Sequence, residues 1–226
     1  DHRDLHSFPT RRSSDLGRAD GYIARQVSRW AGQWETDQQR SIPAFDEIGR
    51  RLRAVIDLGI VEVDPPRPVI VHGDYNMGNV MVASADEFVA GDVLRAVLDW
   101  EMATLGHPLM DLGVLATYNG PHGSLVVSTD QLVSSVSGFP SVAELAHLYA
   151  RRTGRDVADF PFFLVLAFYK VLVITEDVRR RFLAGTATGP GIEQMGAHAH
   201  ELGDAVLQFA TASNVAGLNG RRSSVR

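Results

Sequence analysis

The stretch that most limits how this chain can fold is FPFFLVLAFYKVLVI, residues 160–174, fifteen residues carrying a single charge at Lys170. A bilayer-spanning helix needs about 20 apolar residues, so this segment reads as a helix buried in a soluble core and not as a membrane span. Because it is apolar on every side, other elements must surround it. Pro161 suits its first turn, and the helix is expected to run to about Phe182. Lys170 within it either meets an anionic substrate or snorkels its stem along the helix surface.

Partners for that helix are legible as amphipathic stripes. Ile23, Val27, Trp30 and Trp34 recur at helical spacing, and Phe45, Ile48, Leu52, Val55 and Ile56 mark a second helix over 44–58. Pro108 opens a third through LMDLGVLATY, Ser141 and Glu144 have capping-box spacing for a fourth, and a last helix is expected near 192–209. VIV (69–71), following the proline-rich break VDPPRP, reads as a short buried strand. VMVA (80–83) and VLRAVLDW (93–100) read as a hairpin across a polar turn. Apart from that hairpin the chain reads as helix, which gives an α+β, mainly helical class. Residues 17–210 form one unit, and 211–226 read as a disordered tail.

With 226 residues, 45% of them hydrophobic, the chain can bury a sizeable core. Its net charge of −5, with no basic run beyond Arg179–Arg181, argues against a nucleic-acid partner, because phosphate contacts need a cationic face. Those arginines read as a solvated face. The absence of cysteine excludes disulfides, thiolate chemistry and cysteine zinc sites, and is compatible with the reducing cytoplasm, the expected location. His198 and His200 are two apart on a helix and do not share a face, so they are not expected to form a metal pair.

The opening DHRDLHSFPTRRSSDL has neither a signal-peptide core nor a helical or strand period. All sixteen residues match one reading frame of a common short-read sequencing adapter, so residues 1–16 are expected to be an adapter-derived, disordered artefact.

The chemistry concentrates in HGDYNMGN, residues 72–79. Phosphoryl transfer from ATP to a hydroxyl needs a carboxylate at the acceptor's proton and oxygen ligands for the Mg²⁺ that bridges the phosphates. Asp74 would orient or deprotonate the hydroxyl, and Asn79, five residues on, would offer its amide oxygen to the metal. Twenty residues after Asn79, at the end of the next hairpin strand, stands Asp99 in LDWE, where a second metal carboxylate belongs. His72 is expected to be structural, and Tyr75 and Trp100 to pack beside the site.

HGDYNMGN, LDWE and GHPLMDLG, in that order, resemble the aminoglycoside phosphotransferase and choline kinase family, whose fold is protein-kinase-like. VLDWEMATLGHPLMDLG, YARRTGRDVADFPFF and AFYKVLVITEDVRRR are more narrowly similar to the branch that includes the kinase domains of acyl-CoA dehydrogenase family members ten and eleven. The resemblance runs from about residue 17 to 209 and implies that Asp74 is the catalytic base and that Asn79 and Asp99 bind Mg²⁺. It further implies that Asp111 braces the catalytic loop and that Glu101 reaches a second ion or its water shell. The cofactors implied are Mg²⁺ and ATP. The acceptor implied is a small hydroxyl compound, first among them a 4-hydroxyacyl group carried as a CoA thioester.

Kinase chemistry also uses a glycine-rich loop and a strand lysine upstream of the catalytic loop. The chain has one lysine, Lys170, downstream of that loop, and no G-x-G-x-x-G or Walker pattern. The expectation is therefore a C-terminal lobe whose N-terminal lobe is missing and which turns over ATP poorly or not at all by itself. Two alternatives remain open at this stage: an aminoglycoside or other hydroxyl compound as acceptor, and a non-catalytic kinase-like domain that binds acyl-CoA or a partner protein. A metal-dependent phosphoesterase is discounted, because the Asp-x-His and Gly-Asn-His it needs do not occur after Leu16.

Overall fold

The computed structural model describes residues 18–38, 40–61, 68–84, 93–119, 122–126, 136–189 and 196–220. The adapter-like segment 1–16, residues 85–92 of the expected polar turn and the last six residues lie outside them. Six helices are described: α1 (Tyr22–Asp37), α2 (Pro43–Asp57), α3 (Leu109–Thr117), α4 (Val142–Thr153), α5 (Phe160–Leu183) and α6 (Ala199–Ala212). Four short strands accompany them: β1 (Val69–Val71), β2 (Val80–Val82), β3 (Leu94–Val97) and β4 (Thr104–Gly106).

The apolar run is the axis of the molecule. Residues 162–173 of α5 are buried throughout, and α1, α2, α3 and α6 pack around them. Each fully buried Leu or Phe there contributes roughly 1.5–3 kcal/mol of transfer free energy. The amphipathic stripes face inward as their spacing dictates: Ile23, Val27, Trp30 and Trp34 on α1, and Phe45, Ile48, Leu52 and Val55 on α2. The Trp34 and Phe45 rings lie 4.8 Å apart, and the Trp34 Nε1 donates to Asp46 Oδ1 at 2.7 Å. Where α3 crosses α5 the backbones touch closely enough that a Cβ on Gly113 would lie 2.8 Å from the Phe163 carbonyl oxygen.

Beyond its buried half α5 turns amphipathic. Arg40, from the α1–α2 connection, clamps Glu176 with two bonds of 2.9 and 2.5 Å and also donates to the Gly196 carbonyl at 2.6 Å. Arg180 and Arg181 both pair with Asp177, and Arg179 reaches Glu176 at 4.0 Å. The arginine run is thus largely neutralised by carboxylates of its own helix. The expected capping box forms at α4, with Glu144 N–H donating to Ser141 Oγ and Ser141 N–H to Glu144 Oε2.

Three expectations need correction. Among the described residues there are two antiparallel ribbons, β1 with β4 and β2 with β3, and not one hairpin. β4 is only TLG, too short to show a strand period, and it forms because β1 is opposite it. The last helix, expected near 192–209, starts at Ala199 after a turn at 196–198 held by Arg40 and runs to Ala212, while residues 190–195 lie outside the described ones. The residues expected as a tail from 211 onward instead pack as far as Gly220: Val215 and Leu218 are buried, and Arg51 donates to the Leu218 carbonyl at 3.1 Å. Two apolar residues three apart are enough to dock that segment beside Val55 of α2. Among the described residues no helix is long and apolar enough to cross a membrane.

Candidate active site

β1 delivers the chain into the loop at His72, and the loop is bonded from below before it turns. The Asp111 carboxylate, in the first turn of α3, accepts the His72 N–H at 2.7 Å and the Gly73 N–H at 2.9 Å. Burial pushes the Asp111 carboxyl above its usual range, and those two N–H groups, with the charge of Lys170, pull it back. His72 is 2% exposed and bonded at both ring nitrogens. Its Nδ1 accepts the Asp74 N–H at 3.2 Å, so the ring proton is on Nε2, which donates to the Leu98 carbonyl at 2.7 Å. His72 and Asp111 thus both bond the backbone that leads into Asp74.

Gly73 turns the loop with φ 84, and a Cβ there would stand 2.7 Å from the Met102 carbonyl oxygen. Only glycine meets both demands without strain. Asp74 follows, its side chain about one third exposed. Asn76 then caps the 3-10 turn Met77–Asn79 by accepting from the Gly78 N–H at 2.9 Å, and its Nδ2 donates to the Asp74 carbonyl at 3.0 Å. Asn79 Nδ2 donates to the same carbonyl at 3.0 Å and approaches Asp74 Oδ2 at 3.4 Å. An amide held through its nitrogen leaves its oxygen available to a cation.

Register then brings the second acid round. Val80 of β2 faces Val97 of β3, and the Leu98 N–H donates to the Asn79 carbonyl at 2.8 Å, so Asp99 leaves the ribbon beside the turn that carries Asn79. Asp99 has φ 63 and ψ 56, the only left-handed non-glycine residue among those described. That conformation is uncommon though tolerated by aspartate, and such strain concentrates at functional sites. Trp100 and Glu101 follow in a 3-10 turn, both exposed. The Trp100 ring leans on His72 at 4.7 Å and its Nε1 donates to the Val97 carbonyl at 2.8 Å, a packing role. The Tyr75 ring lies 6.0 Å from His72.

For a metal, the adjoining turns offer the Asn79 amide oxygen and the Asp99 carboxylate, both hard oxygen ligands, with the Asp74 carboxylate on the turn before. This is the chemistry Mg²⁺ takes, usually through one or two carboxylates with waters and phosphate oxygens completing its shell. Among the described residues no cluster of three or more His, Cys, Asp or Glu forms an all-protein metal cage. His198 pairs with Glu201 at 3.3 Å on the surface, away from any metal geometry.

Two residues of the site escape a reading of the sequence. Asn76 lies inside the quoted loop with no role predicted for it. Lys170 does not snorkel: it is 4% exposed, and its ammonium donates to the Gly73 carbonyl at 2.6 Å. The available signal was a lone cation in an otherwise apolar helix, which must find a partner if it is buried.

Residues 2–151 match the model of the phosphotransferase enzyme family, a span that takes in most of the adapter-like opening. Acyl-CoA dehydrogenase family member 11 of Mus musculus is 33% identical over 186 residues, 80% of this chain and 23% of that protein. Family member 10 of the same organism is 30% identical over 213 residues, 92% of this chain and 19% of that protein. A solved structure from Ralstonia eutropha JMP134, assigned as an aminoglycoside phosphotransferase, superposes with a TM-score of 0.67 at 28% identity over 87% of this chain and 57% of that one. The chain thus spans about a fifth of the length of the curated relatives it matches.

Proposed function

The chain belongs to the phosphotransferase enzyme family and has its kinase-like fold, and from that premise we propose that the loop at Asp74 serves ATP- and Mg²⁺-dependent phosphorylation of a small-molecule hydroxyl. The observation that supports this reading most is the Leu98 N–H bond of 2.8 Å to the Asn79 carbonyl, which sets the backbone leading into Asp99 beside the turn that follows Asp74. Asp74 accepts the hydrogen bond of the acceptor hydroxyl and takes its proton as the new oxygen–phosphorus bond forms and the bond to the leaving diphosphate oxygen breaks. Asn79 Oδ1 and the Asp99 carboxylate would hold the metal, with Glu101 placed for a second ion or its water shell. Bound Mg²⁺ supplies charge neutralisation across the phosphate oxygens. Asp111 and His72 keep the loop from yielding.

The acceptor we favour is a 4-hydroxyacyl thioester of CoA, a reading supported by the acyl-CoA dehydrogenase relatives. The solved relative's name favours an aminoglycoside as the second reading. Neither involves nucleic acid or a membrane, and a cytoplasmic location fits both. The test is turnover and binding together. In a family member that also carries the glycine-rich loop and strand lysine, ADP release from Mg·ATP against a panel of hydroxyacyl thioesters and aminoglycosides, with the change equivalent to Asp74→Asn as control, separates an enzyme, which loses turnover in that variant, from a binding domain, which keeps its ligand.

A further inference from the structure

Lys170 is the only lysine of the chain and lies in the most apolar stretch of its central helix. A buried ammonium is costly unless other groups replace its water. Here three do: the Gly73 carbonyl oxygen at 2.6 Å, Asp74 Oδ1 at 3.9 Å and the face of Trp30 at 6.0 Å from the ring centroid. Every one of the first two belongs to the catalytic loop. Asp111 holds that loop by the N–H groups of His72 and Gly73, while Lys170 holds it by the next carbonyl from the opposite helix.

We propose that Lys170 is a positioning residue for Asp74: its ammonium fixes the Gly73–Asp74 peptide from α5 and sets the Asp74 carboxylate toward the acceptor hydroxyl. This rests on the reading of Asp74 as the acceptor-side base. The peptide between Gly73 and Asp74 is pinned on both of its edges, at its carbonyl by Lys170 and at its N–H by His72 Nδ1 at 3.2 Å, so the carboxylate turns mainly about its own side-chain bonds. An error of about 1 Å in such a group costs on the order of 10²-fold in rate, which gives a buried cation at this place a physical purpose beyond packing. Burial pulls the Lys170 ammonium below its usual range, Asp74 and Asp111 pull it back up, and Arg29 opposes them.

A single lysine gives a single side-chain resonance, so the contact can be read without any turnover. With ¹⁵N-lysine in the full 226-residue chain, the Nζ signal of Lys170 is expected to be a protected, slowly exchanging ammonium. Asp74→Asn, which keeps the shape and removes the charge, is expected to move that signal and lower its titration midpoint. Lys170→Met is expected to shift the amide signals of Gly73 and Asp74 while leaving those of α6 in place. A freely exchanging Nζ signal, or one that Asp74→Asn leaves unmoved, overturns the proposal. The Asp74→Asn measurement decides it even if Lys170→Met fails to fold. If the lysine couples to Asp74 but the change equivalent to Asp74→Asn leaves turnover intact in a family member with both lobes, the phosphotransfer reading fails while the contact stands.

Discussion

The helical bundle and the pair of ribbons solve opposite problems. In the bundle α5 is buried along most of its length and its neighbours present only their apolar stripes to it. In the ribbons the large apolar residues are largely outside: Ile70, Met81, Val82 and Leu94 are each more than half exposed, and Trp100 is nearly so. The bundle is therefore stable through burial, whereas the ribbons and the loop between them are placed by a few directed contacts from the bundle beneath. Asp111 from α3 and Lys170 from α5 are those contacts. A site built this way keeps its polar groups open to solvent and substrate while borrowing rigidity from a core it does not belong to.

Substitutions that attack the two regions should differ in size and in reach. The largest effect is expected in the bundle. Phe163 is fully buried and stacks on His107 at 4.2 Å, so Phe163→Ala should lower the unfolding free energy by about 3–5 kcal/mol in denaturant titration. Next comes the brace. Asp111→Ala removes the acceptor of two N–H groups and should cost about 2–3 kcal/mol. Unlike the first change, its effect on hydrogen exchange should centre on residues 72–74. A uniform loss across the helices would mean that the loop is part of the bundle after all.

The boundary between the regions should be sensitive to pH. His107 is packed on Phe163, and burial, with Arg155 adding to it, holds its imidazole down to about 4 from an ordinary 6.5. The unfolded chain therefore takes up a proton near pH 6.5 that the folded chain refuses until about pH 4. The stability this contributes is full above pH 6.5 and falls away as the pH drops toward 4. His107→Gln should flatten the dependence of Tm on pH in that window. The smallest effect belongs to the outer face of the ribbons, where Ile70→Thr and Met81→Thr should change stability by no more than about 0.5 kcal/mol. A loss of several kcal/mol there would erase the distinction between the regions.

How much of this the sequence reveals follows the same division. α1 and α2 are written in local periodicity, α5 in its long apolar run, the cap of α4 in the Ser141–Glu144 spacing, and the β2–β3 pair in two Val- and Leu-rich runs around a polar turn. The candidate site residues are likewise legible as chemistry, since Asp74, Asn79 and Asp99 are the residue types phosphoryl transfer needs. What stays hidden is whatever depends on meeting a distant element. β4 exists because β1 lies opposite it, Val215 and Leu218 dock because α2 offers them a surface, and Lys170 is buried because the Gly73 carbonyl is waiting 97 residues away. No local pattern encodes those encounters.

The central claim is that Asp74, Asn79 and Asp99 form one cation and phosphate site. Its most direct measurement replaces Mg²⁺ by paramagnetic Mn²⁺ and follows amide line broadening in the ¹⁵N-labelled chain with ATP present. The account predicts broadening that is strongest at residues 74–79 and 98–101 and that Asp99→Asn abolishes. Broadening spread over surface carboxylates such as Glu201, or unchanged in Asp99→Asn, would contradict it.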